Sequence, residues 1–326
     1  MRRIALAAVS LILIWTGSYI VLARAGFFQL TREELIAKYA EPDSKFLTIK
    51  GIHVHYKDEG QGPAVVLFHG SFGSVHTWDA IADELRPDYR VIRFDQPQSA
   101  LSSDIPPENE GLLLEDFVAG FLDEIGVATA HLVGTSSGGL IAYRFASRYP
   151  ERTGALVISN APSAVVDNSA VETPAGLRFL IYLSQNILKY QPRAYWDSLL
   201  RSLYADPSRL RDETVDQYYD YGRRARSAPY VRSMFARVND TSEIDQVLAG
   251  VTSPALLLWG VPDRVLPQQM GVQLQRKLSS TKAELVVLEG TVHYPPVESP
   301  LLVAGHIKSF LEEYGIELNT PSDGAY

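Results

Sequence analysis

Apolar and polar positions alternate with different periods along the chain, and the first period is no alternation at all. Between Arg3 and Arg24 lie 20 uncharged residues, Ile4 to Ala23. A helix of that length rises about 1.5 Å per residue and spans roughly 30 Å, the hydrocarbon thickness of a bilayer. The pattern predicts an uncleaved membrane anchor over residues 1–26. The alternative is a signal peptide cut near Ala25, because Ala23-Arg24-Ala25 supplies an A-x-A site. Arg2, Arg3 and the amine precede the run and only Arg24 follows it closely, which places the remainder of the chain outside the cytoplasm. Residues 27–45 read as a juxtamembrane linker whose amphipathic stretch, Phe27 to Asp43, begins a helix at a capping box of Thr31 and Glu34. That stretch is expected to pack on the domain or the membrane surface.

The period then shortens to two. Phe46 to Lys50 and Ile52 to Lys57 alternate apolar and polar side chains across Gly51, the pattern of an antiparallel hairpin with one wet face. Six short, mostly apolar runs follow: Ala64–Phe68, Arg90–Phe94, His131–Val133, Ala155–Ser159, Ala255–Trp259 and Leu285–Leu288. Such runs fit parallel strands buried on both faces. Helical spacing fills the gaps, as in Leu112, Leu113, Phe117, Phe121 and Ile125, or Leu140, Tyr143 and Phe145. Strand and helix in alternation predict an α/β, doubly wound, mostly parallel sheet.

Between Pro162 and Leu248 the alternation stops, and amphipathic helical patterns such as Leu177–Leu188 and Tyr195–Tyr204 replace it. This insertion carries 8 of the 17 tyrosines: Tyr182, Tyr190, Tyr195, Tyr204, Tyr218, Tyr219, Tyr221 and Tyr230. It reads as an aromatic helical cap over residues 162–248, flanked by a core of residues 46–161 and 249–316 and followed by a frayed tail, 317–326.

Charge and cysteine content narrow the chemistry. With 30 Lys and Arg against 38 Asp and Glu, the net charge of -8 gives no electrostatic footprint for nucleic acid. Zero cysteines exclude disulfides, thiolate zinc sites and a cysteine nucleophile. Neither a metal nor an organic cofactor is called for.

Gly134-Thr135-Ser136-Ser137-Gly138 fits a G-x-S-x-G nucleophile elbow, with a strand before it and a helix after. The sharp turn strains the serine, and Gly134 and Gly138 remove side chains that would block it. A serine hydroxyl needs a base. Of seven histidines, His53, His55, His76, His131 and His306 lie where structural roles are expected, whereas His293 follows the last strand at the edge where α/β sheets place ligands. Asp263, after Ala255–Trp259, falls between serine and histidine in chain order and is the expected orienting acid. The other location for an acid, the end of Ala155–Ser159, holds the uncharged Asn160. Backbone N–H groups of Ser71 and Ser137 are the expected oxyanion donors, in a loop where Gly70 permits close approach.

At these residues the chain resembles the α/β-hydrolase-fold family, as a serine hydrolase with a helical cap. The resemblance rests on His69-Gly70 with Trp78, the elbow, Trp259-Gly260-x-x-Asp263, and His293 with Pro295 and Glu298-Ser299-Pro300. It implies a cap between the sixth and seventh strands of the main sheet. One loop departs: where members carry Asp-x-Pro-Gly-x-Gly-x-Ser, this chain reads Asp95-Gln96-Pro97-Gln98-Ser99-Ala100-Leu101-Ser102. Serine rather than aspartate at 136 argues against dehalogenase and epoxide hydrolase chemistry. The leading expectation is cleavage of a small, apolar carboxylic ester through an acyl-enzyme. The alternatives are a carbon–carbon hydrolase of a diketone-like ring-cleavage product, amide hydrolysis or acyl transfer, and a ligand-binding protein that has lost catalysis.

Overall fold

The computed structural model describes residues 2–164, 173–224 and 243–314. The expected tail, 317–326, and Tyr230 lie outside these residues. Strands β1 (Lys45–Ile49) and β2 (Ile52–Glu59) form the anticipated hairpin. Lys50 and Gly51 both take left-handed backbone at its turn, φ 49° and 73°, as a two-residue hairpin loop requires. The six apolar runs become β3 (Ala64–Phe68), β4 (Arg90–Phe94), β5 (Ala130–Thr135), β6 (Thr153–Ser159), β7 (Ala255–Val261) and β8 (Ala283–Glu289). They pair in parallel, in the sheet order β1-β2-β4-β3-β5-β6-β7-β8.

Burial on both faces explains the uninterrupted apolar runs. In β3, Val66 and Phe68 enter a cluster with Phe117, Phe121, Tyr143 and Trp259, while Val65 and Leu67 enter one with Trp78, Ile81 and Ile307. Helices α4 (Leu114–Glu124) and α5 (Ser137–Arg148) cover the first face; α3 (Asp79–Leu85) and α9 (Pro300–Tyr314) cover the second. Strand β8 departs from the expectation of double burial. It is the sheet edge, and only Leu288 within it is fully covered.

The insertion between β6 and β7 contains α6 (Ala175–Tyr182), a π-helical turn over Leu183–Leu188, α7 (Arg193–Ser202) and α8 (Asp212–Gly222). Trp196, Leu200, Tyr204, Val215 and Tyr218 form its own small core, against which Phe72 and Val297 pack.

At the amino terminus α1 (Arg2–Arg24) is the one helix among the described residues long and apolar enough to cross a membrane. Most of it is exposed, but its last turns dock on the insertion. Rings run from Trp15 to Tyr19 (5.9 Å), Tyr19 to Phe28 (5.2 Å) and Phe28 to Tyr190 (5.2 Å), and the Tyr190 and Tyr219 hydroxyls are hydrogen-bonded. Arg24 donates to the Ile187 carbonyl at 3.0 Å.

The linker helix α2 is shorter than its amphipathic stretch, Arg32–Tyr39, and both halves of the Thr31–Glu34 capping box form. Its Leu35 is fully buried against Ala100, Leu101 and Tyr221, so α2 packs on the domain. Residues 41–44 then cover the hairpin face expected to be wet. Lys57 is buried between Glu41 and Asp43, and His55 bridges Ser44 and Asp95, each at 2.8 Å. Alternation alone marked that face polar because its cover comes from elsewhere in the chain.

The atypical loop keeps the backbone that glycines would give it. Gln98 and Ala100 have φ 67° and 41°, a left-handed conformation that costs a side-chain-bearing residue about 1–2 kcal/mol. The loop is clamped in place: Asp95 accepts from the Val75 and Leu101 N–H groups, Arg32 donates to Leu101 O, and Arg224 donates to Ala100 O and Ser102 O. Ala100→Gly relieves strain and loosens the unfolded chain by about 0.5–1 kcal/mol. Urea unfolding is therefore expected to show unchanged stability or a gain of up to about 1 kcal/mol; a loss larger than that contradicts a strained loop.

Candidate active site

Strands β5, β6, β7 and β8 are neighbours and run parallel, so their carboxyl ends share one rim. Each delivers a residue there. After β5 the chain turns through Ser136, whose φ 53° and ψ -127° are strained for any residue with a side chain, and enters α5. A Cβ on Gly134 would meet the Gly138 carbonyl oxygen at 2.6 Å, and one on Gly138 would meet Phe68 O at 2.2 Å, so both positions admit only glycine. The Ser136 N–H donates to Ser159 O at 2.9 Å, tying the turn to β6.

After β7, Asp263 is almost fully buried and saturated with donors. Its Oδ1 accepts from the Val265 and Leu266 N–H groups at 2.7 and 3.0 Å, and its Oδ2 accepts from Asn160 Nδ2 at 2.7 Å. The same Oδ2 lies 2.8 Å from Nδ1 of His293, in the loop after β8. Burial raises the carboxyl's pKa, but the His293 ring and the two backbone N–H groups outweigh it and hold it below the ordinary value. An ionised Asp263 accepts a proton from Nδ1, which leaves Nε2 as the ring nitrogen able to act as base.

Ser136 and the His293 loop meet around Gly70. A Cβ there would lie 3.1 Å from Ser136 Cβ and 3.3 Å from a ring carbon of Tyr294, the residue after His293. No hydrogen bond joins Ser136 Oγ to His293 among the described residues; in unliganded enzymes such bonds are often long and tighten with substrate. The Ser71 and Ser137 hydroxyls are hydrogen-bonded at 3.0 Å, which draws together the two residues expected to donate backbone N–H groups. Buried His69 holds this loop: its Nε2 accepts from Gln96 N–H at 3.0 Å and its Nδ1 faces Gly70 O at 2.7 Å. Burial lowers its pKa and keeps the ring neutral.

Two positioning residues were not assigned from sequence. Asn160, considered only as the site of a missing acid, accepts from Gly260 N–H at 2.9 Å and donates to Asp263, bridging the ends of β6 and β7. Glu298, noted only as part of a motif, is buried and accepts from Val292 N–H at 3.1 Å and Asp206 N–H at 3.0 Å, fixing the His293 loop to the insertion. His53, His76 and His131 are tied to structural partners. His131 accepts from Ala155 N–H at 3.0 Å, with burial lowering its pKa to about 4; His76 pairs with Asp79 and His53 with Thr48. Among the described residues no cluster of three or more His, Cys, Asp or Glu is placed to hold a metal.

Residues 63–300 match the family described as the alpha/beta hydrolase fold. A 2-hydroxy-6-oxononadienedioate/2-hydroxy-6-oxononatrienedioate hydrolase of Burkholderia vietnamiensis is 31% identical over 234 residues, 68% of this chain and 79% of that protein. A 2-hydroxy-6-oxo-6-phenylhexa-2,4-dienoate hydrolase of Burkholderia cepacia is 29% identical over 250 residues, 71% and 84% of the two chains. Among solved structures, a membrane phospholipase A described as a bacterial virulence factor superposes with a TM-score of 0.67 at 24% identity, covering 97% of this chain and 99% of its own. That likeness shows the fold.

Gly138→Ala tests the crowding at the elbow. Overpacking typically costs about 1–3 kcal/mol, and contact with two backbone carbonyls leaves little room for relief. Thermal unfolding should show a destabilised or insoluble protein; a wild-type transition contradicts the geometry.

Proposed function

We propose that this chain, which belongs to the α/β-hydrolase fold family, is a serine hydrolase that cleaves the bond beside a carbonyl carbon through an acyl-enzyme intermediate. The observation that carries the reading is the Asp263–His293 pair, 2.8 Å apart, on the rim where Ser136 stands in a strained turn. His293 Nε2 takes the Ser136 proton as Oγ attacks the carbonyl carbon, and Asp263 stabilises the imidazolium. The carbonyl oxygen becomes an anion facing the N–H groups of Ser71 and Ser137, at the amino end of α5, whose dipole favours negative charge. The imidazolium returns its proton to the leaving group, and water, deprotonated by the same ring, releases the acyl group. The insertion over residues 162–248 acts as the cap of this site, and residues 46–161 and 249–316 as its catalytic core.

Two bonds fit this chemistry. The relatives named for 2-hydroxy-6-oxo-dienoates support carbon–carbon cleavage, the reading ranked second from sequence, in which a carbanion stabilised by a neighbouring carbonyl leaves. Ester cleavage, ranked first, has one structural observation in its favour: an apolar helix docked directly on the cap, which suits a lipid-derived substrate. An intact set of catalytic groups counts against a purely ligand-binding role.

The same docking supports retention of α1 as an anchor with the catalytic domain on the extracytoplasmic side. Cleavage near Ala25 would remove Tyr19, the ring that links α1 to Phe28.

A panel of nitrophenyl esters of rising chain length, run beside a 2-hydroxy-6-oxo-dienoate, separates the readings. Turnover of the dienoate supports carbon–carbon cleavage, and turnover of esters alone supports ester hydrolysis. In either case Ser136→Ala should lower kcat by about 10⁶-fold, the cost of losing a catalytic serine elsewhere. Activity that survives the substitution, or no turnover of any substrate, contradicts the proposal.

A further inference from the structure

A cavity of about 340 Å³ opens beside the cap, in the range of about 300–1,000 Å³ that small-molecule sites occupy. Four stretches of the chain build it: Ala23 and Phe28 at the end of α1, Phe72, and Trp196 form its apolar side, and Lys189 with Arg223 and Arg224 its basic side. Two of these positions locate it. Ala23 is the last residue of the uncharged run, so this wall lies where a spanning helix leaves the hydrocarbon. Phe72 directly follows Ser71, packs edge-on against Trp196 at 5.3 Å, and is held in a left-handed backbone with φ 63°. The cavity therefore connects the level of the membrane surface to the loop that carries an expected oxyanion donor.

The surroundings suit contact with lipid. Phe27, Phe179 and Tyr182 are 69%, 63% and 58% exposed, the first just past α1 and the other two on α6, which runs into the π-helical turn that Arg24 meets. Exposed aromatic residues next to an apolar helix are typical of membrane interfaces. Lys189 donates to the Gln185 carbonyl and has no acidic partner among the described residues, so its ammonium can meet lipid phosphates while its stem lies along apolar surface.

We propose that this cavity receives the apolar chain of an amphiphile drawn from the bilayer, and that such molecules reach Ser136 from the membrane side between α1 and the cap. The inference rests on Ser136 being the nucleophile, but not on which bond is cleaved. It assigns the substrate class: a carbonyl compound with a long apolar chain that partitions into membranes.

The full chain in phosphatidylcholine vesicles, treated with an ethyl and a hexadecyl fluorophosphonate, tests both parts. Each probe phosphonylates an activated serine with loss of fluoride. Gln29 and Gln185 are exposed residues lining the cavity, so tryptophans there can fill it without disturbing a core. The double variant Gln29→Trp, Gln185→Trp should slow hexadecyl labelling of Ser136 by about tenfold, the burial of roughly two methylenes, with ethyl labelling unchanged. Unchanged hexadecyl labelling, or equal slowing of both probes, overturns the tail subsite while leaving Ser136 as nucleophile. Failure of both probes to label the wild type overturns the nucleophile itself. Because the chain has no cysteine, Phe179→Cys carries a single fluorophore. Its quenching by spin-labelled lipid supports entry from the bilayer, and unquenched fluorescence rejects it.

Discussion

Four parallel strands in adjacent register are the constraint on which the site depends. Because β5, β6, β7 and β8 lie side by side and point the same way, Ser136, Asn160, Asp263 and the His293 loop reach one rim although up to 157 residues separate them. The strands need no polar side chain to do this. Apolar burial on both faces fixes them, and polar residues at their ends are free to serve chemistry. Hydrogen bonds across the strand ends complete the frame: Ser136 to Ser159, Asn160 to Leu258, and Gly260 to Asn160. Asp263 is thus held from three sides before it meets His293.

A second frame couples the amino-terminal segment to the insertion between β6 and β7. Asp220, buried on α8, is bonded by Lys38, Tyr39 and Arg223, and Leu30 pairs with Arg223 and Arg224 along the backbone. Burial raises the Asp220 pKa, yet these partners outweigh it and keep the carboxylate ionised. Arg224 also holds the loop after β4, so α1, α2, the insertion and that loop share contacts. The amino-terminal helices and the helices of the insertion consequently form one packed assembly rather than a domain on a tether.

The sequence carried those features whose cause is local. β3 and β4 were legible to the residue because apolar runs end where burial ends, and the Thr31–Glu34 box formed because its partners are three residues apart. Gly134, Gly138 and Ser136 were readable because backbone geometry allows few residues at such a turn. What escaped depends on distant partners. Asn160 lies 103 residues from Asp263, so nothing in its own neighbourhood marks it as a support. The hairpin face judged wet is covered by residues 41–44, and the edge position of β8 follows from the order of strands rather than from its composition. The bond to be cleaved was not legible either, since ester and carbon–carbon chemistry use the same groups and differ in the leaving group.

The central claim is that Ser136 Oγ, His293 Nε2 and the N–H groups of Ser71 and Ser137 converge on one reacting atom. A crystal structure of the phosphonylated protein measures this directly. Phosphorus is expected on Ser136 Oγ, with a phosphonyl oxygen about 2.7–3.1 Å from both backbone nitrogens and His293 Nε2 turned toward Oγ. Phosphorus on another residue, or an oxygen directed away from Ser71 and Ser137, would contradict it.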